Sequence, residues 1–347
     1  MKNSNKIIII TDEQGRFHQH RNIHKTLDID KIRRFFVDKD YIVEVITYNE
    51  ISNKLGSYNG CIFFGTSSYD LKYKKFLSEI IFELGKNNKV VPAYEHFNAH
   101  ENKLYQEVYK KRIGLNSIEN IISCNLDDRV IDLIESEVGY PLIFKLDSGA
   151  GGSTVYKVNN VADLISLYNS FPIDNGSLRT RIKNKIKKVI NEVFGKQYVM
   201  SFDPEFSDTK TFVAQKMISN LDHDWKVLIF GKKLFALRRN IPSDDFRASG
   251  QGLLDFDTQP PNEVLKFAFD VYRKLNTPHV SLDIACDKRE KCYLIEYQVC
   301  AFGPTTMLDS KYVYQFEREG VFSRNINDDS LEETYASSVI DYINNES

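Results

Sequence analysis

Apolar and polar positions along the first hundred residues predict strands and helices in turn. Ile7-Ile8-Ile9-Ile10 is an unbroken apolar run, the mark of a strand covered on both faces, and Tyr41 to Thr47 and Gly60 to Phe64 read the same way. Between them Ile29, Ile32 and Phe36 recur at helical spacing, as do Leu77, Ile80, Ile81 and Leu84 within Lys74 to Leu84. Val90-Val91-Pro92 predicts a last short strand, closing an α/β unit with a parallel sheet over residues 1–100.

From Glu101 the pattern changes. Leu104, Tyr105, Val108 and Tyr109 predict one apolar helix face, ended by Gly114. Two hairpin-like stretches follow, then a basic amphipathic helix over 178–194. Phe212 to Ile218 and Lys226 to Phe230 read as a strand pair, and Pro260-Pro261 opens a helix. A hairpin is expected from Ser281 to Val299, and Ser330 with Glu333 marks the start of a final helix.

Composition narrows the class. The chain has 347 residues, 42% hydrophobic and 27% charged, which excludes a disordered tail, a fibrous repeat and a disulfide scaffold. Its 46 Lys+Arg against 48 Asp+Glu leave a net charge of −2, so no nucleic-acid partner is expected. The four-residue apolar run near the start is far short of the ~20 a membrane span needs. Five cysteines (Cys61, Cys124, Cys286, Cys292, Cys300) without Cys-x-x-Cys spacing read as reduced thiols of a cytoplasmic protein, with no zinc site.

Two features carry chemistry. In the first, Lys145 precedes Gly149-Ala-Gly151-Gly152-Ser153, with β-rich runs on either side. A P-loop has its lysine after the glycines and a helix next, and a dinucleotide fingerprint also needs that helix. The order here leaves a hairpin lid with a lysine aimed at the same anion, or a plain flexible hairpin loop. In the second, a hairpin centred between Arg289 and Glu290 sets Asp283 opposite Glu296, with Gln298 on the same face. Leu282, Ile284, Ile295 and Tyr297 then form the apolar back. Facing carboxylates repel, and a divalent cation between them, Mg²⁺ above all, removes the penalty. The alternatives are a register shifted by one or carboxylates paired with surface lysines.

The chain carrying these features resembles the ATP-grasp superfamily, most of all the group of the ribosomal-protein glutamate ligase and glutathione synthetase. The matching blocks run in order from Asn102 to Gln298. The resemblance implies a Rossmann-like N-terminal domain (1–100, facing substrate), then a two-lobed ATP-grasp domain with antiparallel sheets: a lid and central part over 101–218 and a C-terminal part over 219–347. It implies nucleotide contacts from Lys103, Lys145, Gly149, Gly151, Gly152, Ser153, Gln215, Lys216, Met217, Ile218 and Asp224. Arg239, Arg247 and Lys145 would meet the moving phosphoryl group, and Asp283, Glu296 and Gln298 would ligate Mg²⁺, or Mn²⁺ in its place. Gln298 stands where the family has Asn, and Lys226 where it has Arg.

The activity implied is ligation of a carboxylate to an amine through an acylphosphate, with small-molecule or peptide substrates and no enzyme nucleophile. A phosphotransferase and a non-catalytic nucleotide-binding protein are the alternatives, and a homo-oligomer is left open. The Asp12–His18 loop reads as an acceptor-facing or plain surface loop. His18, His20 and His24 read as solvated or substrate-facing, and His96 and His100 as structural. The run Arg179 to Lys188 reads as a solvated basic face, and Thr305 and Thr306 as substrate contacts or part of a turn.

Overall fold

The computed structural model describes residues 5–19, 26–67, 73–115, 118–146, 154–171, 210–243 and 245–345. They belong to two compact units, one built from Met1–Ile118 with Ile218–Ser347, the other lying within 119–217. The loop Gly149 to Ser153 and the basic helix 178–194 fall outside the described residues.

In the first unit, Lys6–Thr11 (β1), Ile42–Thr47 (β2), Ile62–Gly65 (β3) and Lys89–Val91 (β4) form a parallel sheet in the order β2-β1-β3-β4. The Ile7–Ile10 run is fully buried, as expected of a strand covered on both faces. The helix Lys74–Leu84 buries Leu77, Ile80, Ile81 and Leu84, the residues its spacing selected.

The same unit contains an antiparallel sheet ordered β13-β12-β9-β10-β14-β15. Its strands are His223–Phe230 (β9), Lys233–Asn240 (β10), His279–Cys286 (β12), Cys292–Gln298 (β13), Tyr312–Arg318 (β14) and Val321–Ile326 (β15), with Leu254–Asp255 (β11) attached to β10. Strand alternation divides its faces. Trp225, Val227, Ile229, Val280, Leu282, Ile284, Leu294 and Tyr297 join one core with the helix Asn262–Leu275. Leu228, Phe230 and Phe235 turn the other way, into a core shared with β1 and the helix Leu331–Asn345. That second face is apolar at one end and charged at the other, and the charged end holds the residues of interest.

In the second unit Asn120–Ser123 (β5), Leu142–Leu146 (β6), Val155–Val158 (β7) and Phe212–Lys216 (β8) form an antiparallel sheet ordered β5-β8-β6-β7. The helices Asp128–Glu137 and Val161–Ser170 contribute Ile134 and Leu164 to its core, together with Phe144 and Phe212.

Several expectations are corrected. Phe212–Lys216 and His223–Phe230 are not partners but belong to different sheets. The helix Lys103–Arg112 buries Lys103, Gln106, Glu107, Tyr109 and Lys110, while Val108 is exposed. Its polar groups tolerate burial because they are bonded: Lys110 Nζ lies 2.5 Å from Glu107 Oε1, and Gln106 Nε2 donates to Ala99 O at 3.0 Å. Cys286 and Cys292 are disulfide-bonded rather than reduced, because the hairpin turn sets them directly opposite with Cα atoms 4.1 Å apart. His18 is buried rather than solvated, its ring between Phe17, His279 and Tyr335. His20 and His24 lie outside the described residues. Thr306 is buried inside the short helix Thr305–Asp309.

Candidate functional site

The expected pairing of Asp283 with Glu296 is present, as are Ser281 with Gln298 and Leu282 with Tyr297. A bulge after Asp283 then shifts the register, so Ile284 faces Leu294 and the buried back residue is Leu294 rather than Ile295. On the neighbouring strands Lys226 stands opposite Asp283, and Arg239 opposite Asp224. Alternation thus puts Asp224, Lys226, Arg239, Ser281, Asp283, Glu296 and Gln298 on one face of the sheet.

Arg239 is the centre of this cluster. Its Nε and Nη2 donate to Asp224 Oδ1 and Oδ2, both at 2.7 Å, and Nη2 also lies 2.9 Å from Asp283 Oδ2. Lys226 Nζ reaches Asp283 Oδ1 at 3.3 Å. Burial pushes the Asp283 carboxyl up, but Lys226 and Arg239 more than reverse this and hold it at about 2. Burial opposes the Arg239 charge as well, yet Asp283 and Asp224 raise its pKa. The guanidinium is therefore permanently charged and fixed in orientation. With its Nε and Nη2 protons committed, the Nη1 end is what it can offer to a ligand.

Next to Arg239 and Asp283 is an acidic corner. Gln298 Nε2 donates to Glu296 Oε1 at 2.9 Å and lies 3.4 Å from Glu101 Oε1, while Gln298 Oε1 is 3.1 Å from His100 Nδ1. Glu101 Oε2 is buried without a hydrogen-bond partner among the described residues. Burial, and then the neighbouring Glu296, raise the Glu101 pKa, with Lys103 pulling against them. The backbone of Glu101 is left-handed (φ 48°), an uncommon conformation for a residue with a side chain. Burial and the Lys74 charge lower His100 to about 4, so it is neutral. Among the described residues no three His, Cys, Asp or Glu side chains stand close enough together to hold a metal. Lys103, buried at the first turn of its helix behind the Asn102 cap, belongs to the same unit.

In the second unit Lys145 pairs with Val213 and Ile143 with Gln215, which places Lys145 and Gln215 on one sheet face, away from the Phe144–Phe212 core. Both are buried, and Gln215 Nε2 has no hydrogen-bond partner among the described residues. Lys216 is exposed, 3.6 Å from Glu119.

No protein-family model matches the chain, and no curated protein matches it in sequence. Solved structures match its fold. D-cycloserine synthetase DcsG superposes with a TM-score of 0.55 at 9% identity, over 97% of this chain and 99% of that one. N5-carboxyaminoimidazole ribonucleotide synthetase, solved with ADP, does so with a TM-score of 0.52 at 9% identity, over 93% and 79%. The chain has the ATP-grasp fold.

Across this ATP-grasp fold the expected residues are unevenly gathered. Asp224, Arg239, Asp283, Glu296 and Gln298 share one face, while Arg247 is tied to Asp245, with Nη2 3.0 Å from Oδ2, on the loop leading to β11. That guanidinium, through its hydrogen bonds, lowers Asp245 to about 2. Met217 and Ile218 follow β8, where the chain passes between units. Sequence reasoning missed Glu101 and Ser281. Glu101 adjoins the Asn102-Lys103 block, but its orientation depends on a backbone angle that no residue pattern signals. Ser281 shares the two-residue period of Asp283, and that period was the usable signal.

Proposed function

We propose that the chain is an ATP- and Mg²⁺-dependent carboxylate–amine ligase. The observation that carries this reading is Arg239, gripped by Asp224 and Asp283 beside the Glu296 and Glu101 carboxylates. A fixed guanidinium suits a phosphoryl oxygen, and a corner with an orphaned buried carboxylate oxygen suits the divalent cation that accompanies a nucleotide. Glu296 and its neighbours would hold that cation with the phosphates completing its shell: among the described residues Glu296 has no salt-bridge partner and Glu101 Oε2 has no hydrogen-bond donor. For Asp283 to join it, Lys226 or Arg239 must first release one of its oxygens. When bound, Mg²⁺ supplies neutralising charge to the phosphates.

In the reaction a substrate carboxylate oxygen attacks the γ-phosphorus and ADP leaves, giving an acylphosphate. The amine nitrogen then attacks the acyl carbon, loses a proton, and orthophosphate departs with one carboxylate oxygen. Arg239 stabilises charge on the moving phosphoryl group through donors that need no reorientation. Arg247 assists once Asp245 yields it. Gln215, whose buried Nε2 has no partner among the described residues, suits the acceptor atoms of adenine, and Lys145, Lys103 and Lys216 suit phosphate oxygens. Asp224 holds Arg239 in place, and this competes with the ribose contact that the family resemblance implies. Small carboxylic acids, amino acids and short peptides are the substrate class.

The test uses purified protein with ATP, Mg²⁺ and a matrix of carboxylic acids and amines. Orthophosphate released only when both partners are present, with a condensed product by mass, supports ligation. A stable phosphorylated acid formed without an amine would replace ligation by phosphotransfer.

A further inference from the structure

The helix Leu331–Asn345 carries a polar stripe beside the apolar one that seats it. Leu331, Tyr335, Val339 and Ile343 enter the core, while Thr334, Ser337 and Asp341, with Ser330 just before the helix, follow one another at helical spacing. This stripe walls a cavity of about 250 Å³, closed on its other sides by Phe35, Phe230, Lys232, Lys233 and Gln315. Every one of these residues belongs to the first unit. Phe230 ends β9 at the apolar end of its sheet face, so the cavity lies on the order of 20 Å along the strand from Asp224 and the Arg239 cluster. The polar groups around it are not spent on one another. Thr334 is 5% exposed, yet its hydroxyl makes no hydrogen bond among the described residues, and neither do the Ser337 hydroxyl and the Gln315 amide. Lys233 is neutralised by Asp329. Lys232 and Asp341 stand exposed at the mouth without a direct ion pair, although the Lys232 charge lowers the Asp341 carboxyl against the raising effect of burial. Gly231, at φ 59°, leaves room for that carboxylate: a Cβ there would come within 3.2 Å of Asp341 Oδ2.

We propose that this cavity is a second small-molecule site, for a free α-amino acid whose carboxylate meets Lys232, whose ammonium group meets Asp341 and whose side chain lies against Phe35 and Phe230. A buried hydroxyl without a partner calls for water or a ligand. Opposite charges held apart over such a wall select a molecule carrying both signs. A simple anion would face the carboxylates of Asp341 and Glu333, a simple amine would face Lys232, and a neutral polyol would leave both charges unused. The volume is below the ~300–1,000 Å³ of drug-sized pockets, which limits the ligand to on the order of ten non-hydrogen atoms. Thr334, Ser337 and Gln315 supply the few placed polar groups that orient it. Occupancy of this cavity does not depend on the nucleotide reading above.

The test is calorimetric titration of the whole protein with each of the common L-α-amino acids, up to about 10 mM so that a weak site of this size is filled. At least one with an apolar side chain is expected to bind saturably, with one site per chain, and equally well when ADP is present. Its N-acetyl and amide forms, which lack one charge each, should bind about tenfold more weakly or worse. Lys232→Met and Asp341→Asn should each weaken the free amino acid by a similar factor, and Ser337→Phe, which fills the cavity, should abolish binding. Lys232 and Asp341 are exposed, so their variants keep the fold, which thermal unfolding checks for all three. ADP retention, measured by dialysis, should be the same in every variant as in the wild type. No saturable binding by any amino acid overturns the proposal. So does binding that Lys232→Met, Asp341→Asn and Ser337→Phe all leave unchanged, which places the amino acid elsewhere, and so does equal affinity for the N-acetyl and amide forms.

Discussion

Three fully enclosed histidines in the first unit make its stability depend on acid in a way that can be worked out. Burial lowers His18 to about 3, helped by His100; burial lowers His96 to about 4; and burial takes His279 well below its ordinary value. The imidazoles are neutral in the fold, whereas in the unfolded chain each titrates near 6.5. Below that pH the unfolded state binds more protons, so stability falls as pH drops through 6.5 and goes on falling toward the native values. Between pH 7 and 5.5 each histidine costs about 1.3 kcal/mol, about 5 kcal/mol once His100, also buried and held at about 4, is counted with the three. The single tryptophan, Trp225, is buried in this unit and reports its unfolding by fluorescence. Urea unfolding at the two pH values should show a lower midpoint at pH 5.5 with an unchanged slope. His279→Phe, placed among Phe64, Phe230 and Phe302, should remove about a quarter of the pH dependence. Stability that agrees within about 1 kcal/mol at the two pH values would refute the argument, because neutral burial leaves no other outcome.

Other consequences are equally direct. Arg239→Met strands Asp224, which is 5% exposed, and should cost about 3 kcal/mol, a fall of roughly 6–12 °C in Tm by circular dichroism. Adding Asp224→Asn should recover part of that loss, and a double variant less stable than Arg239→Met would contradict the pairing. Leu294→Ala should destabilise by about 2–4 kcal/mol and Ile295→Ala by less than about 1, an order that reverses if the bulge after Asp283 is absent. Thiol titration in denaturant should count three free cysteines, Cys61, Cys124 and Cys300, rather than five. Reduction of the Cys286–Cys292 bridge, which closes a short loop, should cost about 2 kcal/mol.

The α/β portion was readable because parallel strands buried on both faces must be apolar runs, as Ile7–Ile10 is, and because Leu77, Ile80, Ile81 and Leu84 recur at the spacing of one helix face. Asp283 and Glu296 were readable for a similar reason, since a two-residue period fixes which side chains share a face. Elsewhere the local pattern gave the wrong answer. The helix Lys103–Arg112 hides lysine and glutamate because they satisfy each other, and no spacing distinguishes such a pair from two solvated charges. Phe212–Lys216 and His223–Phe230 are neighbours in sequence, yet the first pairs back with β5 and β6 while the second pairs with the strand that follows it and with β12. The extra residue at Ile295 changes no residue type, so the hairpin's apolar face was misplaced by one position. Glu101 was passed over because it lies beside Gln298 on a left-handed backbone angle that no residue pattern signals.

The most direct measurement follows oxygen rather than turnover. In the proposed ligation a carboxylate oxygen bonds to the γ-phosphorus before the amine arrives. With substrate labelled with ¹⁸O in both carboxylate oxygens, the released orthophosphate should carry one labelled oxygen for each bond formed. Orthophosphate free of label, alongside a ligated product, would contradict the acylphosphate route.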